Sequence, residues 1–454
     1  MLISFSVSNF RSFDEEQTFS LVASKRHAGD HKNHAVPIPG SEEEALRTAV
    51  LYGANGAGKS NLFKALQFLQ DLAMVDDRAD REPFLLRAGD RPSCFDIQFL
   101  AYGNHYRYAV ALDDFRIVEE YLATVAWGKE TKVFERSTSA EGKVEVRIAD
   151  VRESDEGSRT KLEALAVVAG PRDQTFLATV FTTLPEEDWP RHLRAAIRWF
   201  GLQLRLIRPA ESNPRGKATF ATDADLRLFA GQFLNAASTG IDHLAAKETV
   251  LSDEEVSRMV APRLRQRLSP VTDGDVAHQT LPNGNVILAT RSGDQITHKL
   301  IEVEAAHRDY EGNLIPFRIE QESDGTRRLL QLIPALHSMH QHPRCYVIDE
   351  IDRSLHPILV RDFLAYFLDS CEGREAQLIV TTHESNLLDQ ELLRRDEIWF
   401  AEKNQEGATT LYSLLDFNPR NDMQLRKNYL QGRFGAVPFL GRIEDLLEKE
   451  RKVS

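Results

Sequence analysis

Cysteine is scarce in this chain. Only Cys94, Cys345 and Cys371 occur in 454 residues, far apart and without the short pair spacing of a zinc ligand set. That argues against a disulfide framework and a cysteine-based metal site, and it fits a reducing cytoplasm. Long apolar runs are also missing, since none approaches the roughly 18–20 residues that span a bilayer. Met1-Leu2-Ile3-Ser4-Phe5 lacks the basic start, apolar stretch and small-residue cleavage site of a secretory leader, so a cytoplasmic protein is expected. Basic charge is not in excess either. A formal net charge of −13 makes a poor sequence-independent surface for DNA or RNA, although a local basic groove is compatible with it. Internal repeats, low-complexity tracts and sustained heptads are absent, which excludes a solenoid and a long coiled coil. What remains is an ordinary globular composition, 42% hydrophobic and 28% charged, long enough for roughly two or three domains.

Leu2 to Phe13 alternates apolar and polar residues and ends in Asn9-Phe10-Arg11-Ser12-Phe13, a strand running into a turn. Thr48 to Tyr52 is a short apolar strand, followed by a glycine-rich turn and then helical spacing from Asn61 to Ala73. Phe95 to Val125 returns to the alternation of antiparallel strands. Helical spacing dominates from about 150 to 268, as in Trp189 to Phe200 and Val256 to Leu268. Strand signals resume over 270–320 around the turn Pro282-Asn283-Gly284-Asn285. A helix from Arg327, a strand at Cys345, a helix from Leu355, a strand at Gln377 and a strand-rich tail complete the pattern.

The turn after Tyr52 is Gly53-Ala54-Asn55-Gly56-Ala57-Gly58-Lys59-Ser60. Two glycines frame four residues before Lys-Ser, and the stretch sits between a strand and a helix. Glycines let backbone N–H groups close around phosphate oxygens without Cβ clashes. The helix behind presents its positive end to the same anion. Lys59 can reach the β- and γ-phosphates of ATP, and the Ser60 hydroxyl can bind Mg2+.

Three further segments gain meaning beside that loop. Cys345-Tyr346-Val347-Ile348-Asp349-Glu350 is an apolar strand ending in two carboxylates. Asp349 is placed to hold the metal shell, and Glu350 to orient and activate the attacking water. Strand ends also carry acids that merely face solvent. Gln377 to Thr382 is the next strand and ends at His383; a lone histidine there is more often structural. Glu322-Ser323-Asp324-Gly325-Thr326-Arg327-Arg328 opens a helix, where a serine on its own reads as an N-cap.

In this order, with Ser354-Leu355-His356-Pro357 before His383, the segments resemble the ABC-ATPase head of the SMC, RecF and OLD-type group. The resemblance is nearest to the stand-alone bacterial AAA family ATPases of phage-defence operons, the RloA/AbiL-like, Septu and PARIS types, and extends to the tail Tyr429–Pro438. It implies an α/β P-loop head, a mixed sheet plus antiparallel strands, with an inserted, mainly helical lobe. Arg11 and Ser12 would line the nucleotide, and Asn55, Gly56, Ala57, Gly58, Lys59 and Ser60 would bind phosphates. Ser323 and Gly325 would act in trans on the γ-phosphate held by another copy. Glu350 would be the base and His383 the sensor, with Gln98 the candidate for a further Mg2+ contact beside Ser60 and Asp349. Asp324 stands where transporters carry glycine, and His356-Pro357 replaces the usual Leu-Asp.

Well over 200 residues separate Lys59 from Ser323, which implies an inserted lobe. The expected division is 1–130 and 271–454 for the two halves of the head and 131–270 for the lobe. Arginine-rich stretches (Arg191, Arg194 and Arg198; Arg205, Arg208 and Arg215; Arg263, Arg265 and Arg267) suit a solvated helix face, a nucleic-acid groove or a protein docking surface. His27, His31 and His34 have near-metal spacing without carboxylate or cysteine support. No second catalytic centre is visible. The resemblance therefore implies a regulatory ATPase, assembled at least as a head-to-head homodimer, that controls a separate effector such as a nuclease. The alternative is RecF- or SMC-like DNA maintenance.

Overall fold

The computed structural model describes residues 1–27, 29, 31–75, 80–87, 89–149, 156–209, 214–265, 268, 276–293, 295–339, 341–371, 373–417 and 424–437. Arg267 and Pro438 lie outside the described residues, as do the side chains of Arg215 and Arg263. Among the described residues no helix is long and apolar enough to cross a membrane.

Contacts divide the chain into two compact units. The first comprises Met1–Ile207, His342–Ile351 and Phe363–Ser454; we call it the head. Its central sheet has six strands in the order Leu204–Ile207, Cys345–Ile348, Gln377–Thr381, Thr48–Tyr52, Ile398–Lys403, Thr409–Ser413. All neighbours are parallel except the last pair. Thr48–Tyr52, Cys345–Ile348 and Gln377–Thr381 are buried at every position. This explains why they read as continuous apolar runs rather than alternations.

A second, antiparallel sheet of seven strands begins at Val144–Ile148 and ends at Leu2–Ser8 and Gln17–Ser20. Helix Lys59–Met74 shares one core with both sheets, through Phe63, Phe68, Phe95, Val347 and Ile379 among others. Phe10, Phe68 and Phe95 meet ring to ring at 5.3–5.4 Å. This is an α/β fold, a mixed central sheet and an antiparallel sheet packed on one helix that follows a glycine-rich loop.

The second unit, the lobe, comprises Arg208–Gln341 and Asp352–Asp362. It carries helices Pro214–Thr222, Ala224–Ala236 and Asp324–Ser338. It also carries an antiparallel sheet, in which Gln295–Arg308 pairs with Ile241–Leu251, Val286–Ser292 and Leu314–Arg318. The hairpin turn over 281–285 joins Val276–Thr280 to Val286–Ser292, as its sequence suggests.

The division falls after Ile207 rather than at 130. Lys129–Thr138 and Val144–Ile148 extend the antiparallel sheet of the head. Phe176 packs edge-on to Phe134, and the Glu120 carboxylate accepts from the Phe176 and Leu177 amides at the start of helix Phe176–Thr183. These ties draw residues 131–207 into the head.

Candidate functional site

The parallel register of the head assembles most of the site. Val380 pairs with both Ile348 and Val50. One residue further on, Thr381 stands beside Asp349. Two beyond that, His383 reaches the level of Gly53, where the phosphate loop begins. Loops at the carboxyl ends of parallel strands are where such sheets bind ligands.

The hydrogen bonds follow this register. Thr381 Oγ1 donates to Asp349 Oδ1 at 2.6 Å and accepts from the Glu350 amide at 2.8 Å. One hydroxyl therefore ties both acids. Glu350 itself has φ 48°, a left-handed conformation that costs a non-glycine residue on the order of 1–3 kcal/mol and clusters at functional sites. Lys59 is 5% exposed and donates to the Gly53 carbonyl at 2.7 Å. Its Nζ lies 3.2 Å from Nε2 and 3.4 Å from Nδ1 of His383.

The loop keeps its crest open. Asn55 and Gly56 are exposed at its crest, and a Cβ added to Gly56 would meet open space. Gly56 and Gly58 have φ 81° and 110°, which glycine adopts without penalty. A Cβ on Gly58 would run into the Thr409 hydroxyl, and one on Gly53 would come 2.5 Å from the Ala401 carbonyl oxygen. The residues present thus fit ATP with Mg2+: a glycine cradle, the Lys59 ammonium, the Ser60 hydroxyl and the Asp349 carboxylate.

Thr409 was not legible as a site residue. Its hydroxyl donates to the Ala57 carbonyl at 2.8 Å and accepts from the Ser12 hydroxyl at 2.7 Å, while its amide donates to the Ser12 carbonyl at 2.7 Å. Asn61 Nδ2 also donates to Ser12 Oγ at 2.7 Å. Ser12 therefore braces the loop from behind. Arg11, at φ 51°, caps the tight turn closed by the Phe10–Phe13 bridge. It forms an ion pair with Glu82, and its Nε is buried without a hydrogen bond.

Gln98 is placed elsewhere. Along Ser93–Ala101, Phe95, Ile97 and Phe99 point into the core that contains helix Lys59–Met74. Gln98 therefore points to the opposite face, where its Oε1 bonds His105 Nε2 at 3.0 Å. Alternation fixes the parity of a strand but not which face meets the nucleotide, so the assignment of Gln98 to Mg2+ lacks structural support. Burial pushes the His105 imidazole down to about 4, so it is neutral near pH 7 and can donate to Gln98.

The serine-glycine segment lies in the lobe. Ser323 Oγ accepts from the Thr326 amide at 3.1 Å and bonds Thr326 Oγ1 at 2.9 Å, so it is the N-cap of helix Asp324–Ser338. A Cβ on Gly325 would lie 2.8 Å from the Ser354 carbonyl oxygen. Asp324 forms an ion pair with Arg327, which offsets the charge this position adds.

The arginine stretches are largely engaged by their own surroundings. Arg198 pairs with Glu186, Arg194 donates to the Glu186 and Glu187 carbonyls, and Arg265 to those of Val260 and Ser257. His34 is buried against Glu397 at 2.9 Å and stacks on His31.

Residues 49–174 and 211–389 match the family model described as "AAA domain, putative AbiEii toxin, Type IV TA system". No curated protein matches the chain. Solved structures similar to it include the SmcHead bound to the C-winged helix domain of ScpA, at 15% identity, covering 91% of this chain and 97% of that one with a TM-score of 0.42. The SMC head domain from Thermotoga maritima gives 12%, 91%, 98% and 0.34. The Smc head domain with an extended coiled coil, bound to the C-terminal domain of ScpA derived from Pyrococcus furiosus, gives 11%, 92%, 97% and 0.38.

Proposed function

This chain belongs to that family of AAA domains, and from this premise we propose that it is an Mg2+-dependent ATPase whose site is completed by a second copy of itself and whose turnover controls a separate effector in anti-phage defence. The observation that carries the ATPase reading is the convergence of Lys59, His383 and the Thr381-tied pair Asp349 and Glu350 at the ends of adjacent strands.

ATP and Mg2+, when bound, supply the transferable phosphoryl group and neutralise its charge. Lys59 and the loop amides hold phosphate oxygens. Ser60 and Asp349 would hold the metal. Glu350 orients a water and takes its proton, and His383 stands beside Lys59 to contact the γ-phosphate. Ser323 and Gly325 of the second copy offer a helix N-terminus to the same group. Two copies then close only around ATP, because ATP alone provides different contacts in the open and closed states.

The defence role is supported by the motif resemblance and by the toxin–antitoxin wording of the family description. The test is phage plating efficiency on cells carrying this gene with and without its native neighbouring gene, as wild type and as Glu350→Gln. Protection that needs both the neighbour and Glu350 supports the reading. Absence of protection against a broad panel, with DNA-stimulated ATP hydrolysis, replaces it with DNA maintenance. Light scattering of Glu350→Gln with and without Mg-ATP tests pairing, with the nucleotide-free mass recorded as its baseline.

A further inference from the structure

The lobe contains a cavity of about 800 Å3 whose lining residues all belong to the lobe. That volume lies in the range of roughly 300–1,000 Å3 typical of small-molecule sites. One wall is the helix capped by Ser323. Asp324, Arg327, Arg328 and Gln331 line it, at offsets of three, four and seven that mark a single helix face. Ser323 and Gly325 do not line it, although Asp324 between them and Ser354 beside Gly325 do.

Charge sets this cavity apart from the rest of the chain. Its cationic side chains are Lys217, Lys247, Arg318, Arg327, Arg328 and Arg353. Its carboxylates are Glu302, Glu304, Glu320 and Asp324. Six against four leaves a wall of net charge +2 in a protein of net charge −13. Each carboxylate already faces a donor of the same wall. Lys217 holds Glu320 at 2.6 Å, Lys247 lies 3.6 Å from Glu304, Arg327 pairs with Asp324, and Asn285 Nδ2 donates to Glu302 at 2.9 Å. The acids hold three of the six cations in place, Lys217, Lys247 and Arg327, and the wall keeps its excess of positive charge. The remaining lining is apolar at Phe220, Ile319 and Leu330, and amide-bearing at Asn283, Asn285 and Gln331.

We propose that this cavity is a second ligand site, separate from the phosphate loop, for a phosphorylated small molecule of mononucleotide size. Arginines that present planar forks recognise phosphate oxygens. The amides supply directional contacts and the buried Phe220 an apolar surface for the non-phosphate part. A polynucleotide is a poorer fit, because the cations lie in one concavity instead of along a track. Occupancy has a structural consequence. Arg327 lies on the capped helix and Arg353 directly precedes Ser354, whose carbonyl meets Gly325. A phosphate gripping both arginines would join the two segments that meet at Gly325 and fix the first turn behind Ser323. Any resulting change in ATP turnover rests on the trans role of Ser323 proposed above, whereas binding itself does not.

The test uses the full chain carrying Lys59→Ala, which weakens its own phosphate loop and that of a second copy, so that the Arg353 and Lys247 variants decide where the remaining binding lies. AMP and inorganic pyrophosphate are the calorimetric probes. The expected result is one site per chain for at least one probe, weakened about tenfold or more by Arg353→Ala and by Lys247→Glu. Lys247 is more than half exposed, so its replacement reports on the site even if loss of Arg353 melts the lobe. No binding of either probe overturns the proposal, and so does binding that survives a folded Lys247→Glu and a folded Arg353→Ala. Equal ATP affinity in wild type and Lys59→Ala overturns the phosphate-loop reading instead, and leaves this one standing.

Discussion

The head and the lobe hold their functional residues in opposite ways. In the head, Thr409 reaches across 397 residues of chain to Ser12 and across 352 to Ala57, and Lys59 meets His383 across 324. In the lobe, Ser323 bonds Thr326 and Asp324 pairs with Arg327, each three residues away. The site in the head is therefore a product of the whole tertiary fold. The serine-glycine segment is a product of one helical turn. A substitution in the head should disturb chemistry and global stability together, while one at Ser323 should separate them.

The largest expected effect is at Glu350. Glu350→Gln should slow phosphate release by roughly 10²–10⁴-fold while ATP still binds. Single-turnover rates within about twofold of wild type would remove Glu350 from the role of base. Next, Lys59→Ala should weaken ATP binding by about 10- to 100-fold in calorimetry.

Thr381→Val would leave the buried Asp349 Oδ1 and the part-buried Glu350 amide without their shared hydroxyl. It should destabilise the head by about 1–3 kcal/mol and lower turnover more than ATP affinity, with Thr381→Ser restoring both. Turnover untouched by Thr381→Val would show that the tie is not needed to aim Glu350.

His105 tests the antiparallel sheet. Its folded value is depressed to about 4 from an ordinary 6.5. The unfolded chain therefore takes up a proton first as pH falls. Stability contributed by neutral His105 is fully present above about pH 6.5 and is lost as the pH falls through about 4, on the order of 2 kcal/mol. Thermal melts of His105→Gln should lose that part of the acid slope.

The smallest effect on stability sharpens the contrast. Ser323→Ala should cost about 1 kcal/mol of lobe stability through the lost cap. Ser323→Asp keeps a capping oxygen but adds a charge that opposes phosphate. Preserved melting with abolished turnover in Ser323→Asp supports action in trans, whereas unchanged turnover confines Ser323 to capping.

The same contrast explains what could be read from the sequence. Strands Thr48–Tyr52, Cys345–Ile348 and Gln377–Thr381 were legible because burial on both faces demands continuous apolar residues. The glycine-rich turn after Tyr52 was legible because its glycines answer a local backbone need. Thr409 was invisible, since a hydroxyl on a strand carries no periodic signal and its partners lie at the far end of the chain. Ile241–Leu251 lay in a region that reads as helical, because Ala245, Ala246, Lys247 and Glu248 are good helix formers. The long strand Gln295–Arg308 overrides that preference along the whole of it. Residues 131–207 looked like an insertion because the packing of Phe134 on Phe176 cannot be read from either segment alone.

The bond from Thr409 to Ala57 also sets a schedule for synthesis. The loop strand Thr48–Tyr52 lies between Gln377–Thr381 and Ile398–Lys403, and the brace behind the loop arrives later still. A ribosome adding about 5–20 residues per second needs roughly 20–70 s to travel the 352 residues between the two partners. Throughout that interval the growing polypeptide carries the glycines and the lysine but not the frame that holds them. On the proposed function, a fragment ending before Thr409 should emerge unable to retain nucleotide.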